Sequence, residues 1–352
     1  MITLSGFGYE QKLKNPTKAF AKTWKTKSFI NGPSVIEFEQ KFKEYCNAQD
    51  CVATSSCTSA LQLSLIALNV GPGDEVITVP YTWVSTVEAI KQVGATPVFV
   101  DINADDLCIN PKSIENKITS KTKVILPVDL YGNVANIDAL KKYNVPILQD
   151  AAQSTGAIYK GRRVGSLSHL TCFSFYPTKN LGSWGDAGAV TGNREYIDTI
   201  RELRNHGQTV KFKMNRVGWN ARMDSLQAEI LLNKLPLLDK HNKRRREIAF
   251  MYNEALDGLV NLPTQSKNSL HVYHQYVIQS VHIDRIQEAL TKNKIQSRIY
   301  YPVPLHQTKP YEKNISLPNS EYASLNTLAI PVHQYLSNKE VKFIIKTIKD
   351  AV

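Results

Sequence analysis

A lysine set just past an apolar run, with glycines around it, is either a solvated loop residue or an amine nucleophile aimed into a cleft. The stretch FSFYPTKNLGSWGDAG (173–188) poses that choice at Lys179. Phe173, Phe175 and Tyr176 are strand formers, and Pro177 ends the run because it has no N–H for a ladder. Gly182, Gly185 and Gly188 follow. Three other groups have chemistry to match. Asp150 closes the run PILQDAA, SSCTSAL (55–61) is a small polar turn opening a helix, and Trp83 stands in PYTW. A neutral amine attacks a carbonyl carbon. A carboxylate keeps a proton on a basic ring nitrogen, a helix start receives an anion, and an aromatic face covers a flat ring.

These groups work together only if the fold gathers them. Seven short apolar runs recur along the chain: CVATSS, EVITVPY, TPVFVDI, KVILPVDLY, PILQDAA, LTCFSFY and AGAVTG. Most are near-continuous, as in strands covered on both faces. Helical patterns such as TSALQLSLIALN, TWVSTVEAIKQV and NIDALKKY alternate with them. Such alternation predicts an α/β fold with a largely parallel sheet, whose functional residues collect at the carboxyl ends of the strands. The texture changes near residue 222. A long helical stretch, a strand candidate HVYHQYVIQS and two more helices read as a smaller α+β domain. The expected division is 1–235 for the large domain and 236–352 for the small one. An acid, a lysine, a helix start and an aromatic ring at one crevice form the set that pyridoxal 5'-phosphate requires.

Other readings lose their support. No G-x-G-x-x-G follows the first strand, and no P-loop is present. His271 and His274 in HVYH have no third ligand at metal spacing, so a structural role is expected and no metal site. Five cysteines without a C-x-x-C pair fit a reducing cytoplasm. The start, MITLSGFGYEQKLK, lacks the pattern of a signal peptide, and no run of about 18 apolar residues spans a membrane. The net charge of +12 comes from 43 Lys+Arg against 31 Asp+Glu. Its densest run, KRRR at 243–246, is expected on a solvated helix face, with no nucleic-acid motif to support binding there.

The residues together resemble the DegT/DnrJ/EryC1/StrS family of PLP-dependent sugar aminotransferases, which have fold type I of the aspartate aminotransferase superfamily. The likeness runs through CTSALQLSLIAL, GPGDEVITVPYTWVSTVEAI, QDAAQSTGAIYKGRRVG, FSFYPTKNLG, GDAGAV, LRNHG, GWNARMDSLQAEIL and YYPVPLHQ, over nearly the whole chain. The resemblance implies that Lys179 carries the cofactor as a Schiff base and shuttles a proton, and that Asp150 pairs with the ring nitrogen. It implies Gln153 near the ring hydroxyl, Trp83 stacked on the ring, and Thr58, Ser59 and Ser174 at the phosphate. Asn220 of the G-x-N motif would reach the phosphate of a partner subunit, so a homodimer with shared active sites is expected. Trp83 as core and Ser174 as a turn cap remain open. Cys57 stands where family members commonly have glycine.

The resemblance further implies an amino transfer from L-glutamate, leaving pyridoxamine phosphate, to a keto sugar carried on dTDP or UDP. Arg222, Tyr301 and His306 are the candidates on the sugar-nucleotide side. The loop KNLGSWGDAG resembles that of enzymes aminating C3 of a keto-6-deoxyhexose. A C4-specific enzyme, a cyclitol aminotransferase, a sugar dehydratase and a regulatory protein on the same scaffold are the alternatives. Lys179 speaks against the dehydratase, which carries histidine there.

Overall fold

A computed structural model of the chain describes residues 1–6 and 17–352. After α1 (Thr17–Thr26) and α2 (Pro33–Cys46), the seven apolar runs each form a strand: β1 (Asp50–Thr54), β2 (Glu75–Thr78), β3 (Thr96–Phe99), β4 (Thr122–Ile125), β5 (Leu148–Asp150), β8 (Leu170–Ser174) and β9 (Gly188–Gly192). Between β5 and β8 lie the short β6 (Ile158–Tyr159) and β7 (Arg162–Arg163). β3, β2 and β4 pair in parallel, as do β5 and β8. Parallel bridges Ile125–Ile147 and Val128–Asp150 join the two groups. The order among the described residues is therefore β3-β2-β4-β5-β8-β9-β1, a seven-stranded sheet in which β9 alone runs antiparallel.

That reversal has a simple cause. The connection from β8 to β9 covers residues 175–187 and contains no helix. A parallel return usually runs through a helix, whereas an antiparallel one needs only a loop. This loop bears Lys179.

The sheet lies between two helical layers. On one face, α3 (Cys57–Ala67), α4 (Ser85–Gln92) and α6 (Arg194–Leu203) bury Leu61, Leu65, Ile90, Ile197 and Ile200. On the other, α2, α5 (Ile137–Lys141) and α7 (Ser225–Lys234) bury Phe38, Phe42, Leu140 and Leu231. Phe42 meets Phe173 edge to face with ring centroids 4.9 Å apart, an arrangement that complements the ring quadrupoles. A two-stranded ribbon, β10 (Gln208–Val210) and β11 (Lys213–Met214), exposes Val210, Phe212 and Met214.

Past the Leu235–Leu237 turn, α8 (Leu238–Leu256) leads to a second apolar cluster. It joins Tyr252 of α8 with Tyr276 and Ile278 of β13 (Tyr276–Gln279), Leu290 of α9 (Ile283–Lys292), Leu328 of β14 (Thr327–Ile330) and Ile344 of α11 (Asn338–Lys349). α10 (Pro318–Asn326) precedes β14, and β12 (Ser269–Leu270) pairs with β6.

Two expectations change here. The strand expected over HVYHQYVIQS begins only at Tyr276. Residues 272–275 bond elsewhere: the Val272 N–H donates to the Gly132 carbonyl, and the Gln275 N–H to that of Tyr131. The basic run is not wholly a solvated face. Arg245 is buried, and its guanidinium donates to the carbonyls of Tyr273 (3.0 Å) and Val332 (2.8 Å). Burial lowers its pKa to about 10.

Candidate active site

Asp150 and Lys179 come to one crevice because β5 and β8 are parallel neighbours, with Asp150 paired to Cys172. Asp150 ends β5, and Lys179 sits five residues past Ser174, the end of β8. The crevice holds about 460 Å³. Ser56, Cys57, Thr58, Trp83, Ser85, Thr86, Gln153, Ser174, Tyr301 and His274 line it.

The Asp150 carboxylate is buried. Its Oδ2 accepts from the Thr86 hydroxyl (2.8 Å) and its Oδ1 from the Ala152 N–H (3.1 Å). Burial pushes its pKa up, while the Thr86 and Ala152 bonds and the Lys179 charge oppose that rise. Burial lowers the Lys179 pKa, with Cys57 and Asp150 pulling the other way. The neutral amine is the form that attacks carbonyls, and burial shifts Lys179 toward it.

The loop that carries Lys179 is braced. Its N–H donates to the Tyr176 carbonyl (2.8 Å), and Ser183 Oγ donates to the Phe175 carbonyl (2.7 Å). A Cβ on Gly182 would lie 2.4 Å from the Pro177 carbonyl oxygen, and one on Gly188 2.4 Å from the Ser56 carbonyl carbon. Glycine at these positions lets the loop close and lets β9 pass against the start of α3.

Asn180 anchors the next residue. Its Nδ2 donates to Asn242 Oδ1 (2.7 Å) and to the Val272 carbonyl (3.0 Å). Both amide protons are thereby used, so Asn180 Oδ1 is the acceptor for His274 Nδ1 at 3.3 Å. Burial first, then the Lys179 and Arg245 charges, hold His274 well below its usual pKa, so its imidazole is neutral.

Gln153 is fixed from both sides. Its Oε1 accepts the Tyr131 N–H (2.8 Å), and its Nε2 donates to the Tyr301 hydroxyl (3.1 Å). Tyr131 takes φ 59°, where a bulky side chain is rare, and its hydroxyl bonds the Tyr300 carbonyl. Trp83 is 58% exposed, with its ring 6.1 Å from that of Tyr301. Ser56 caps α3 by accepting the Ser59 N–H (3.1 Å). The first turn of a helix leaves other N–H groups free for an acceptor. Thr58 Oγ1 donates to Ser85 Oγ (2.8 Å), and Ser59 Oγ turns to the hydroxyls of Ser55 and Ser56. Ser174 Oγ accepts the Tyr176 N–H at 3.3 Å.

Four expected residues do not line this crevice: Ser59, whose N–H and hydroxyl are turned to Ser56, and Asn220, Arg222 and His306. Asn220 is exposed and accepts from Arg222 Nε (3.0 Å), while Arg222 Nη1 reaches Asn205 Oδ1 (3.2 Å). His306 is buried, its Nε2 lies 3.2 Å from Glu321 Oε1, and its ring packs 6.4 Å from that of Phe99. With no exposed imidazole surface, His306 does not face a ligand space. Sequence reasoning missed Thr86, His274 and Arg298. Thr86 had a signal, since it lies in the first turn of the helix that follows PYTW. Arg298 lies outside every motif that stood out.

The chain matches the DegT/DnrJ/EryC1/StrS aminotransferase family over residues 11–349, and it belongs to that family. It is 38% identical over 323 residues to the UDP-2-acetamido-2-deoxy-3-oxo-D-glucuronate aminotransferase of Pseudomonas aeruginosa, with 90% of each chain covered. It is 39% identical over 328 residues to the dTDP-3-amino-3,6-dideoxy-alpha-D-galactopyranose transaminase of Aneurinibacillus thermoaerophilus, covering 91% of this chain and 90% of that one. The solved structure of ntda from Bacillus subtilis, with bound cofactor PMP, superposes with a TM-score of 0.90 at 29% identity, covering 97% of this chain and 82% of that one.

The cofactor of this family is pyridoxal 5'-phosphate. The crevice fits it: a buried carboxylate with no cation bonded to it among the described residues, an amine of lowered pKa and the start of a helix face one space. Among the described residues no cluster of His, Cys, Asp and Glu could hold a metal, and no helix is long and apolar enough to cross a membrane. The five cysteines are buried and free.

Proposed function

We propose that this enzyme transfers an amino group from L-glutamate to the C3 keto carbon of a hexose linked to UDP or dTDP. The single observation that carries the chemistry is the Lys179 amine and the Asp150 carboxylate facing one crevice from adjacent parallel strands. The preference for C3 is supported by the two relatives, whose names place oxygen or nitrogen at that carbon.

Bound pyridoxal 5'-phosphate supplies an aldehyde for the amine and a ring that withdraws electrons. Lys179 Nζ would hold it and, when released, would take a proton from the substrate carbon and return it. Asp150, oriented by Thr86 and Ala152, keeps a proton on the ring nitrogen. Its burial is offset by that pairing, because an isolated buried charge is costly. The free N–H of Thr58 in the first turn of α3, with the Ser174 hydroxyl, would receive the phosphate, while the Ser59 N–H is already bonded to the Ser56 cap. Gln153 and Tyr301 would border the ring hydroxyl, and Trp83 would cover one face.

Asn220 and Arg222 are assigned to the crevice of a second subunit, since neither lines its own and Asn220 is exposed. The assembly is then a homodimer. Tyr301 remains a substrate candidate, whereas His306 is assigned to packing. The domain division is assigned to the Leu235–Leu237 turn, beyond which the second apolar cluster begins.

The test has two parts. Borohydride should fix a pyridoxyl label on Lys179, found by peptide mapping. With glutamate, a panel of UDP- and dTDP-linked 3-keto and 4-keto sugars should yield an amino sugar by mass spectrometry from a 3-keto member. No label on Lys179 ends the cofactor assignment, and product from 4-keto sugars alone ends the C3 assignment.

A further inference from the structure

A second cavity, of about 480 Å³, adjoins the crevice, with Thr178, His274, Gln275, Arg298 and Tyr300 lining both. Its charge is one-sided. Lys294 and Arg298 line it, and no Asp or Glu does among the described residues. Arg298 is exposed and has no carboxylate within ion-pair distance among those residues; its guanidinium carbon lies 5.9 Å from the Tyr300 ring centroid. The Ser297 hydroxyl, also at this cavity, is sealed from solvent and has no hydrogen-bond partner among the described residues.

We propose that this cavity is an anion subsite, in which Arg298, aided by Lys294, holds the charged end of a substrate whose reacting end faces Lys179. The proposal rests on the reading above, under which both substrates are anions. The guanidinium fork suits either, since it grips carboxylates and phosphates with two parallel hydrogen bonds. The held group is therefore the distal carboxylate of the amino donor or the diphosphate of the sugar nucleotide. Arg298 lies on the wall common to the two cavities, so an anion there stays continuous with the space around Lys179.

The test is calorimetric titration of the holoenzyme at low salt with glutarate, which has no amine to react, and with inorganic pyrophosphate. Arg298→Gln should weaken at least one of them about tenfold or more, the loss expected of a charge-assisted hydrogen bond. Lys294→Gln should weaken the same probe by a smaller factor. Loss confined to glutarate assigns the seat to the amino donor, and loss confined to pyrophosphate assigns it to the diphosphate. Loss of both makes it a shared seat. If wild type binds neither probe, or if Arg298→Gln leaves both affinities within twofold, the subsite is refuted. Borohydride labelling of Lys179 in the same samples separates the two questions: label with unchanged affinities removes the subsite alone, and missing label removes the cofactor reading alone.

Discussion

The Thr86 hydroxyl donates to Asp150 Oδ2 at 2.8 Å, joining residues 64 positions apart. One side chain starts a helix and the other ends a strand, so their meeting fixes the carboxylate where the crevice needs it. Thr86→Val keeps the shape and removes the donor. A hydrogen bond to a charged group contributes about 1.5–3 kcal/mol, so affinity for pyridoxal phosphate should fall about tenfold or more. Fluorescence titration of the cofactor-free protein measures it.

Asp150→Asn removes the charge while preserving size. The Ala152 N–H can still bond the amide oxygen, and the fold should be kept. Turnover should fall on the order of 10²–10³, the loss typical when one positioned electrostatic group is removed. Circular dichroism checks the fold, and single-turnover kinetics with glutamate check the rate.

Arg245 is a buried cation met by carbonyls, with no carboxylate bonded to it among the described residues. Arg245→Ala should cost about 3–5 kcal/mol, because it leaves those carbonyls unpaired and opens a cavity. Urea unfolding reads this. A loss below about 1 kcal/mol would show that water replaces the side chain freely.

Asp129 gives a pH dependence. Burial raises its pKa to about 7, against the bonds it accepts from the Ala135 N–H, Ser154 Oγ and Gln149 Nε2. Its unfolded pKa is about 3.9. Between these values the folded chain holds a proton that the unfolded chain has lost. This contribution to stability is full below about pH 4 and fades as pH rises toward about 7. Melting temperature followed across that range should show it, and Asp129→Asn should flatten the slope.

The strands were legible because covered strands are apolar on both faces, as at β8 and β9, where every residue is buried. Lys179 and Asp150 stood out for the opposite reason, as charges where such runs end. The fate of KRRR was not legible. Which arginine turns inward depends on the Tyr273 and Val332 carbonyls, brought up by chain 28 and 87 residues away. Residues 272–275 read as strand, yet the N–H groups of Val272 and Gln275 find Gly132 and Tyr131, in a turn the sequence does not announce. His306 followed a motif rather than a pattern of burial, and its pairing with Glu321 is tertiary.

The reversal between β8 and β9 has a mechanical consequence. The segment bearing the amine is stitched at both ends to neighbouring rungs of the central sheet, with Ser174 opposite Gly188. With its ends held in the sheet and its turn bonded through Lys179 N–H and Ser183, the backbone beneath the amine is fixed, and what reach the nitrogen has comes from the lysine side chain alone.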